Sequence, residues 1–334
     1  MRGFGPPFFV TMDRFYEKKW TLLVWNLNGV FPDLSRYFEI VDASGYEKAD
    51  AYLLWTEFSE YSKYLGKYAR HFNRPVFVGQ HGLNLEGVGA EYAEDKLPKK
   101  EADYYFVWGD VDKKLLYKGG WKDREIVDIG CSFLNCKVPW VPDGKSVGFA
   151  PIHHNPDYAG YEIHKLIDVR IWQRLSKIKG IVPIVKTLAE DGMFKNYLGY
   201  QFMTVRNSPQ QIDHIAQTYK YLSTLNVLVT SYISTLWMYC ASIGLPVIKV
   251  LNESDSTHQD GAINIQEDQL EETIRGVMSG EVVHDMNTIS KYARHNPDIE
   301  VDIKNLIYKE LTKREHENSY SDTFLRDKSV QPVY

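Results

Sequence analysis

The stretch from Asn226 to Val250, NVLVTSYISTLWMYCASIGLPVIKV, leaves few folds open to this chain. Val227, Leu228 and Val229 form a short apolar run suited to a buried strand, and Thr230-Ser231 end it with two hydroxyls. From Ile233 the apolar residues fall at Leu236, Trp237, Cys240 and Ile243, a helical spacing, until Gly244 and Pro246 stop the helix before the apolar strand Val247 to Val250. The unit reads strand, hydroxyl-rich turn, helix, strand. Ser231 is placed to cap the helix, while Tyr232, Ser234 and Thr235 occupy its first turn, where free backbone N–H groups and the positive dipole end favour a phosphate. Two roles for Ser231 stay open, a cap for its own helix or a contact to an anion.

The same alternation runs along the whole chain. Apolar runs at Trp20–Trp25, Phe38–Val41, Ala51–Trp55, Pro75–Val78, Tyr104–Trp108 and Ile126–Ile129 predict strands, with helices over Glu57–Phe72 and Val111–Tyr117 between them. A second series follows: strands at Val147–Pro151, Ile181–Val185 and Gln201–Val205, helices at Tyr158–Lys177 and Gln210–Leu222, and an edge strand at Ile263–Ile265. Glu267 to about Arg314 is helical by pattern. Between the two series, VPWVPDGKS from Val138 to Ser146 has the prolines and glycine of an extended linker. The expected domains are therefore 1–137, a linker at 138–146, a second domain over 147–314 and a tail at 315–334.

Neither GxGxxG nor GxxxxGK[ST] occurs, which removes the simplest dehydrogenase and P-loop readings. Three cysteines, Cys131, Cys136 and Cys240, have neither disulfide-framework nor zinc-site spacing. No metal site is expected. The N-terminus MRGFGPPFFVTMDRF lacks a signal peptide's continuous apolar core, and no run approaches the roughly 20 residues of a membrane span, so a cytoplasmic protein without a membrane span is expected. A net charge of -5 argues against a chain wholly dedicated to nucleic acid, although Lys113, Lys114, Lys118, Lys122 and Arg124 make one basic stretch.

Ligands of open parallel sheets bind outside the carboxyl ends of the strands. Two sheets facing each other would set Asn28, Glu57, His81 and Asp110 of the first domain opposite His153, Arg206 and Ser231 of the second. His81, in the glycine-rich polar loop that begins at Gln80, has a side chain that titrates near neutrality and suits acid/base work, and Glu57 and Asp110 hold equivalent strand-end positions. A surface histidine would look the same. His153 and His154 follow a strand and suit phosphate or sugar hydrogen bonding better than metal binding, because adjacent residues point in different directions. Arg206 either forks onto a diphosphate or anchors its loop.

Four segments, VFVGQHG (Val76–Gly82), ADYYFVWGD (Ala102–Asp110), VGFAPIHHN (Val147–Asn155) and TSYISTLWMYCASIGLPVI (Thr230–Ile248), resemble those of nucleotide-sugar transferases of the GT-B fold. The likeness is closest to CDP-glycerol glycerophosphotransferase and UDP-N-acetylglucosamine 2-epimerase-like proteins. It implies two facing Rossmann-like domains around a cleft and a metal-independent glycosyltransferase with no cofactor beyond its co-substrate, a UDP-sugar. The second domain would hold the donor through Ser231, Tyr232, Ser234, Thr235, His153, His154 and Arg206. The first would hold the acceptor, with Asn28, Gly29, Gln80 and Asn84 lining it and His81, Glu57 or Asp110 as base. Where the resembled transferases present an acid in the helix after the turn, this chain has Tyr239 and Cys240, leaving Glu253 or Asp255 to reach the donor ribose. A variant within the resemblance is the phage DNA glycosyltransferase, whose acceptor is a hydroxylated base and whose phosphates would meet Lys113 to Arg124. A glycerophosphotransferase, an epimerase and a binding module without turnover are the rival readings.

Overall fold

The computed structural model describes residues 20–25, 31–54, 60–80, 102–135, 138–151, 161–188, 201–205, 218–231, 236–251, 261–284, 289–290 and 292–327. Within them the apolar runs form two separate six-stranded sheets, all of whose pairings are parallel. The first contains β1 (Thr21–Trp25), β2 (Glu39–Val41), β3 (Ala51–Leu54), β4 (Val76–Gly79), β5 (Tyr104–Val107) and β6 (Ile126–Asp128), in the spatial order β2-β1-β3-β4-β5-β6. The second contains β7 (Ser146–Ala150), β8 (Val182–Leu188), β9 (Gln201–Val205), β10 (Val227–Thr230), β11 (Val247–Val250) and β12 (Ile263–Ile265), ordered β12-β11-β10-β7-β8-β9. The α/β reading of two parallel-sheet units holds.

Strands of such sheets are covered on both faces, so they read as continuous apolar runs. In β1, Leu22 and Val24 point to one cluster with Phe77 and Phe106, and Leu23 points to the other with Tyr52 and Leu65. Helix α1 (Glu60–His71) contributes Leu65 and Ala69 to that second face, and α2 (Asp110–Lys118) contributes Leu116. In the second sheet Val147 and Phe149 face Ile171 and Trp172 of α3 (Tyr161–Leu175), together with Ile274 of α5 (Leu270–Ser279). The opposite face meets α4 (Leu236–Ile243) and the helical turn at 218–222. Gly148 is required there, since a Cβ would lie 2.4 Å from Leu225 Cδ1 and 2.8 Å from the Tyr221 hydroxyl.

The connection at 138–146 is extended, and it is fastened to the second unit. Val141 N–H donates to Ser223 O, and the Trp140 indole N–H donates to Leu225 O at 2.7 Å. The Asp143 carboxylate accepts from the backbone N–H groups of Lys145 and Ser146 and from the Asn226 amide. Partial burial opposes its ionisation, but these donors outweigh it and hold the carboxyl below its ordinary value.

The C-terminal third departs from expectation. The helical pattern after Glu267 is interrupted: α5 stops at Gly280, whose φ of 80° is the left-handed cap that glycine adopts without strain. The chain resumes as α6 (Ile299–Asp327), which extends well into the expected tail. Its Ile299, Ile303, Ile307 and Leu311 pack in one cluster with Leu22 of β1 and with Leu34 and Phe38 between β1 and β2, on the first unit. Tyr308 and Tyr104 hydroxyls donate to Tyr37 O and Glu310, and Arg314 pairs with Asp103 at 3.0 Å. Packing thus ties the last helix to residues of the first unit.

Candidate functional site

Numbered within itself, the second sheet has the order 3-2-1-4-5-6: the chain lays β8 and β9 on one side of β7, then crosses to place β10, β11 and β12 on the other. Connections that leave β7 and β10 in opposite directions open a crevice between their carboxyl ends. Those ends are Ala150 and Thr230, which are register partners. The Thr230 hydroxyl donates to Ala150 O at 2.8 Å, so the two strands are joined at the crevice itself.

One residue on, Ser231 is buried, and its hydroxyl donates to Asp168 Oδ1 at 2.5 Å. Asp168 comes from α3 and has no exposed surface. A hydroxyl has one proton, so while it donates to this carboxylate Ser231 cannot also donate to a ligand. Of the two roles left open for Ser231, neither describes this bond: the side chain ties the turn to a helix on the far face. Tyr232, Ser234 and Thr235 lie outside the described residues, as do His153, His154 and Arg206.

The row across the strand ends continues to Lys249 of β11, the partner of Thr230, and from it to Asn264 of β12. Lys249 is buried. In α4, Tyr239 and Cys240 are buried in the apolar cluster. Tyr239 stacks on Phe133 with centroids 4.5 Å apart. Burial pushes the Cys240 thiol far up, against the opposing influences of a backbone hydrogen bond and Lys186, and pushes Cys131 up to about 12. Neither is a thiolate near neutral pH.

On the first sheet, Asp110 begins α2 directly beyond the carboxyl end of β5 and is exposed to solvent. Gln80 follows β4 but is buried, its Oε1 accepting from Trp108 N–H at 2.8 Å, which bridges the ends of β4 and β5. This bond holds that strand end together. His81, Glu57, Asn28, Gly29 and Asn84 fall outside them, as do Glu253 and Asp255.

The two carboxyl ends are brought together by apolar packing. Trp108 and Val111, which flank Asp110, share one cluster with Trp237, Met238 and Tyr239 of α4, the helix after the Ser231 turn. The returning segment completes it: Trp237 meets Tyr292 edge-on at 5.6 Å, Arg294 N–H donates to Trp108 O, and Cys131 N–H donates to Arg294 O. Gly130, at φ 75°, admits this strand-like contact, for a Cβ there would sit 2.6 Å from Arg294 O. Asp110 and Ser231 therefore stand at the ends of two sheets that rest on a common floor. Among the described residues no cluster of three His, Cys, Asp or Glu side chains could hold a metal ion, and no helix is long and apolar enough to cross a membrane.

No family model matches the sequence, and no curated protein matches it. Solved structures do. S. aureus MnaA, in a structure with UDP, aligns over 88% of this chain and 97% of its own at 10% identity and a TM-score of 0.58. The glycotransferase of kitacinnamycin aligns over 87% of this chain and 98% of its own at 11% identity and a TM-score of 0.51. At such identities the likeness is one of fold, and it covers both units: the chain has the GT-B arrangement of two Rossmann-like units.

Proposed function

We propose that the chain is a glycosyltransferase that binds a nucleotide-diphosphate sugar, a UDP-sugar, on its second unit and passes the sugar, without a metal ion, to an acceptor hydroxyl held by its first. The observation that carries this reading is the crevice between β7 and β10, closed beneath by the Thr230–Ala150 hydrogen bond and by the buried Ser231–Asp168 pair. Backbone N–H groups beyond so firmly anchored a strand end are the groups we assign to the diphosphate. UDP in the MnaA structure supports the choice of nucleotide. Ser231 is then a positioning residue, and the contacts come from the backbone after it and from Tyr232, Ser234, Thr235, His153, His154 and Arg206.

On the acceptor side His81 takes the proton from the attacking hydroxyl, with Glu57 and Asp110 as the alternative bases, and Asn28, Gly29, Gln80 and Asn84 border the acceptor. We include a hydroxylated base in DNA among the candidate acceptors. The test is thermal unfolding with UDP, CDP and their sugar or glycerol derivatives, followed by assay of nucleotide release. Ligands of the native state raise the melting temperature by mass action. Stabilisation by UDP-sugars, release of UDP only with an acceptor, and indifference to EDTA are expected. Stabilisation without release would indicate a binding module, CDP-glycerol turnover a glycerophosphotransferase, and conversion of the sugar without an acceptor an epimerase.

A further inference from the structure

The outer face of α1 carries two parallel stripes, one aromatic and one basic, that lie largely outside the core. Tyr61, Tyr64, Tyr68 and Phe72 follow one another at helical spacing over about 16 Å, and Tyr46 of the preceding 3-10 turn (Ala43–Lys48) completes their row. Ring centroids lie 6.3 Å apart for Tyr61–Tyr64, 6.1 Å for Tyr64–Tyr46 and 4.8 Å for both Tyr46–Tyr68 and Tyr68–Phe72. Tyr61, Tyr64 and Phe72 are open to solvent, at 38%, 50% and 51% exposed, while Tyr46 and Tyr68 are half-buried against the core. Beside it run Lys63, Lys67, Arg70 and Arg74, the last with its guanidinium 5.6 Å from the Phe72 ring centroid and one of its Nη atoms donating to Glu47 O and the Tyr52 hydroxyl. From residue 60 to 74 the sequence has these four cations and one acid, Glu60, and the turn that carries Tyr46 adds Glu47, which accepts from the Tyr46 hydroxyl at 3.3 Å, in a chain whose net charge is -5.

We propose that this face binds single-stranded nucleic acid, with bases stacking on the tyrosine and phenylalanine rings and phosphates meeting the lysines and arginines. Aromatic rings interleaved with cations are the recurring means of holding a strand without reading its sequence. The basic stretch on and after α2, from Lys113 to Arg124, fits less well. Its five cations are answered by Asp110, Asp112, Asp123 and Glu125. Lys113 reaches Asp128 at 3.6 Å and Arg124 reaches Glu125 at 3.9 Å. A bilayer surface, the other anionic partner, is met by Leu, Trp and Phe side chains. Here four of the five rings carry hydroxyls, and none of the exposed large hydrophobic residues on this face is aliphatic or Trp. The inference stands on this surface alone, apart from the donor reading: strand binding without sugar transfer would support it and leave the donor site to be sought elsewhere.

The experiment is fluorescence anisotropy of labelled single-stranded DNA and RNA of about 12 nucleotides with the full chain, length chosen to exceed the smallest single-strand sites. Binding at low salt is expected to weaken with salt at a log–log slope near -3, about -0.7 for each of four phosphates. Tyr64→Ala and Phe72→Ala should each weaken it roughly fivefold or more. Lys67→Glu with Arg70→Glu should flatten the salt dependence, whereas Lys114→Glu with Lys118→Glu should change neither, with circular dichroism showing each variant folded. Equal DNA and RNA binding is expected if no 2′-hydroxyl contact is made, and preference for either would still support a strand site. The inference is overturned if the native chain binds neither oligonucleotide at low salt, or if the α1 variants bind as it does. It is overturned equally if the same residues are needed only for vesicles of phosphatidylcholine and phosphatidylserine, which would make the face a membrane surface.

Discussion

Asp168 was invisible as a functional residue until the chain folded, yet its signal is present: it interrupts the buried stripe Ile167, Ile171, Trp172 and Leu175 of α3 with a charge. A carboxylate without exposed surface persists where donors satisfy it, and Ser231 supplies one. Ser231→Ala and Asp168→Ala should each destabilise the protein by about 1–3 kcal/mol, because each leaves a buried polar group short of a partner. The double variant should cost less than the sum of the two, since the orphaned partner is gone. Urea unfolding of the four proteins measures this coupling, and strict additivity would dissolve the pair. In the same variants the donor KM should rise more than turnover falls, as befits residues that shape a binding turn. His81 is expected to behave in the opposite way: His81→Ala should lower turnover by about 10²- to 10⁴-fold at unchanged donor affinity, and His81→Gln should not restore it. Normal turnover in both would pass the role to Glu57 or Asp110.

Glu300, in the first turn of α6, titrates out of its usual range. Burial, reinforced by the nearby Asp33 charge, raises its carboxyl from 4.5 to about 7, and its Oε2 is buried with no hydrogen-bond partner among the described residues. The native state thus holds this proton more tightly than the unfolded chain. The carboxyl carries no penalty below pH 4.5 and becomes progressively destabilising as pH rises through about 7. Glu300→Gln should therefore raise the melting temperature at pH 8 and change it little at pH 4.5. An equal gain at both pH values would mean that charge is not the cause.

At the scale of elements, strands and helices were largely legible because covered parallel strands are continuous apolar runs and the helices between them are periodic. Gln201–Val205 and Ile263–Ile265 end where their residues suggest. The destination of α6 was not legible. Its spacing of Ile299, Ile303 and Ile307 specifies a helix with an apolar face but not which of two sheets that face will cover. Only contacts between distant parts of the chain, such as Tyr308 to Tyr37 and Tyr104 to Glu310, decide it. Ile303→Ala and Ile307→Ala should each destabilise the chain by about 2–5 kcal/mol, through lost burial and the cavity left behind. Amide exchange should show the loosening at β1 and its neighbours in the first sheet. Loosening confined to the second sheet would contradict this packing.

For the molecule as a whole, the cleft was legible in outline and its floor was not. Strand ends can be read from apolar runs, so Asp110 and Ser231 could be set at facing edges from sequence. That Trp108, Phe133, Tyr239 and Tyr292 join those edges in one cluster is a matter of packing between distant segments. The central claim is that a donor nucleotide sits at the β7–β10 crevice, and amide hydrogen exchange with and without saturating UDP tests it most directly. The account predicts slowed exchange at the end of β10 and the start of α4, with β1 to β6 unaffected. Protection concentrated on the first sheet, or UDP at saturation leaving the segment from Val227 to Ile243 unchanged, would contradict it.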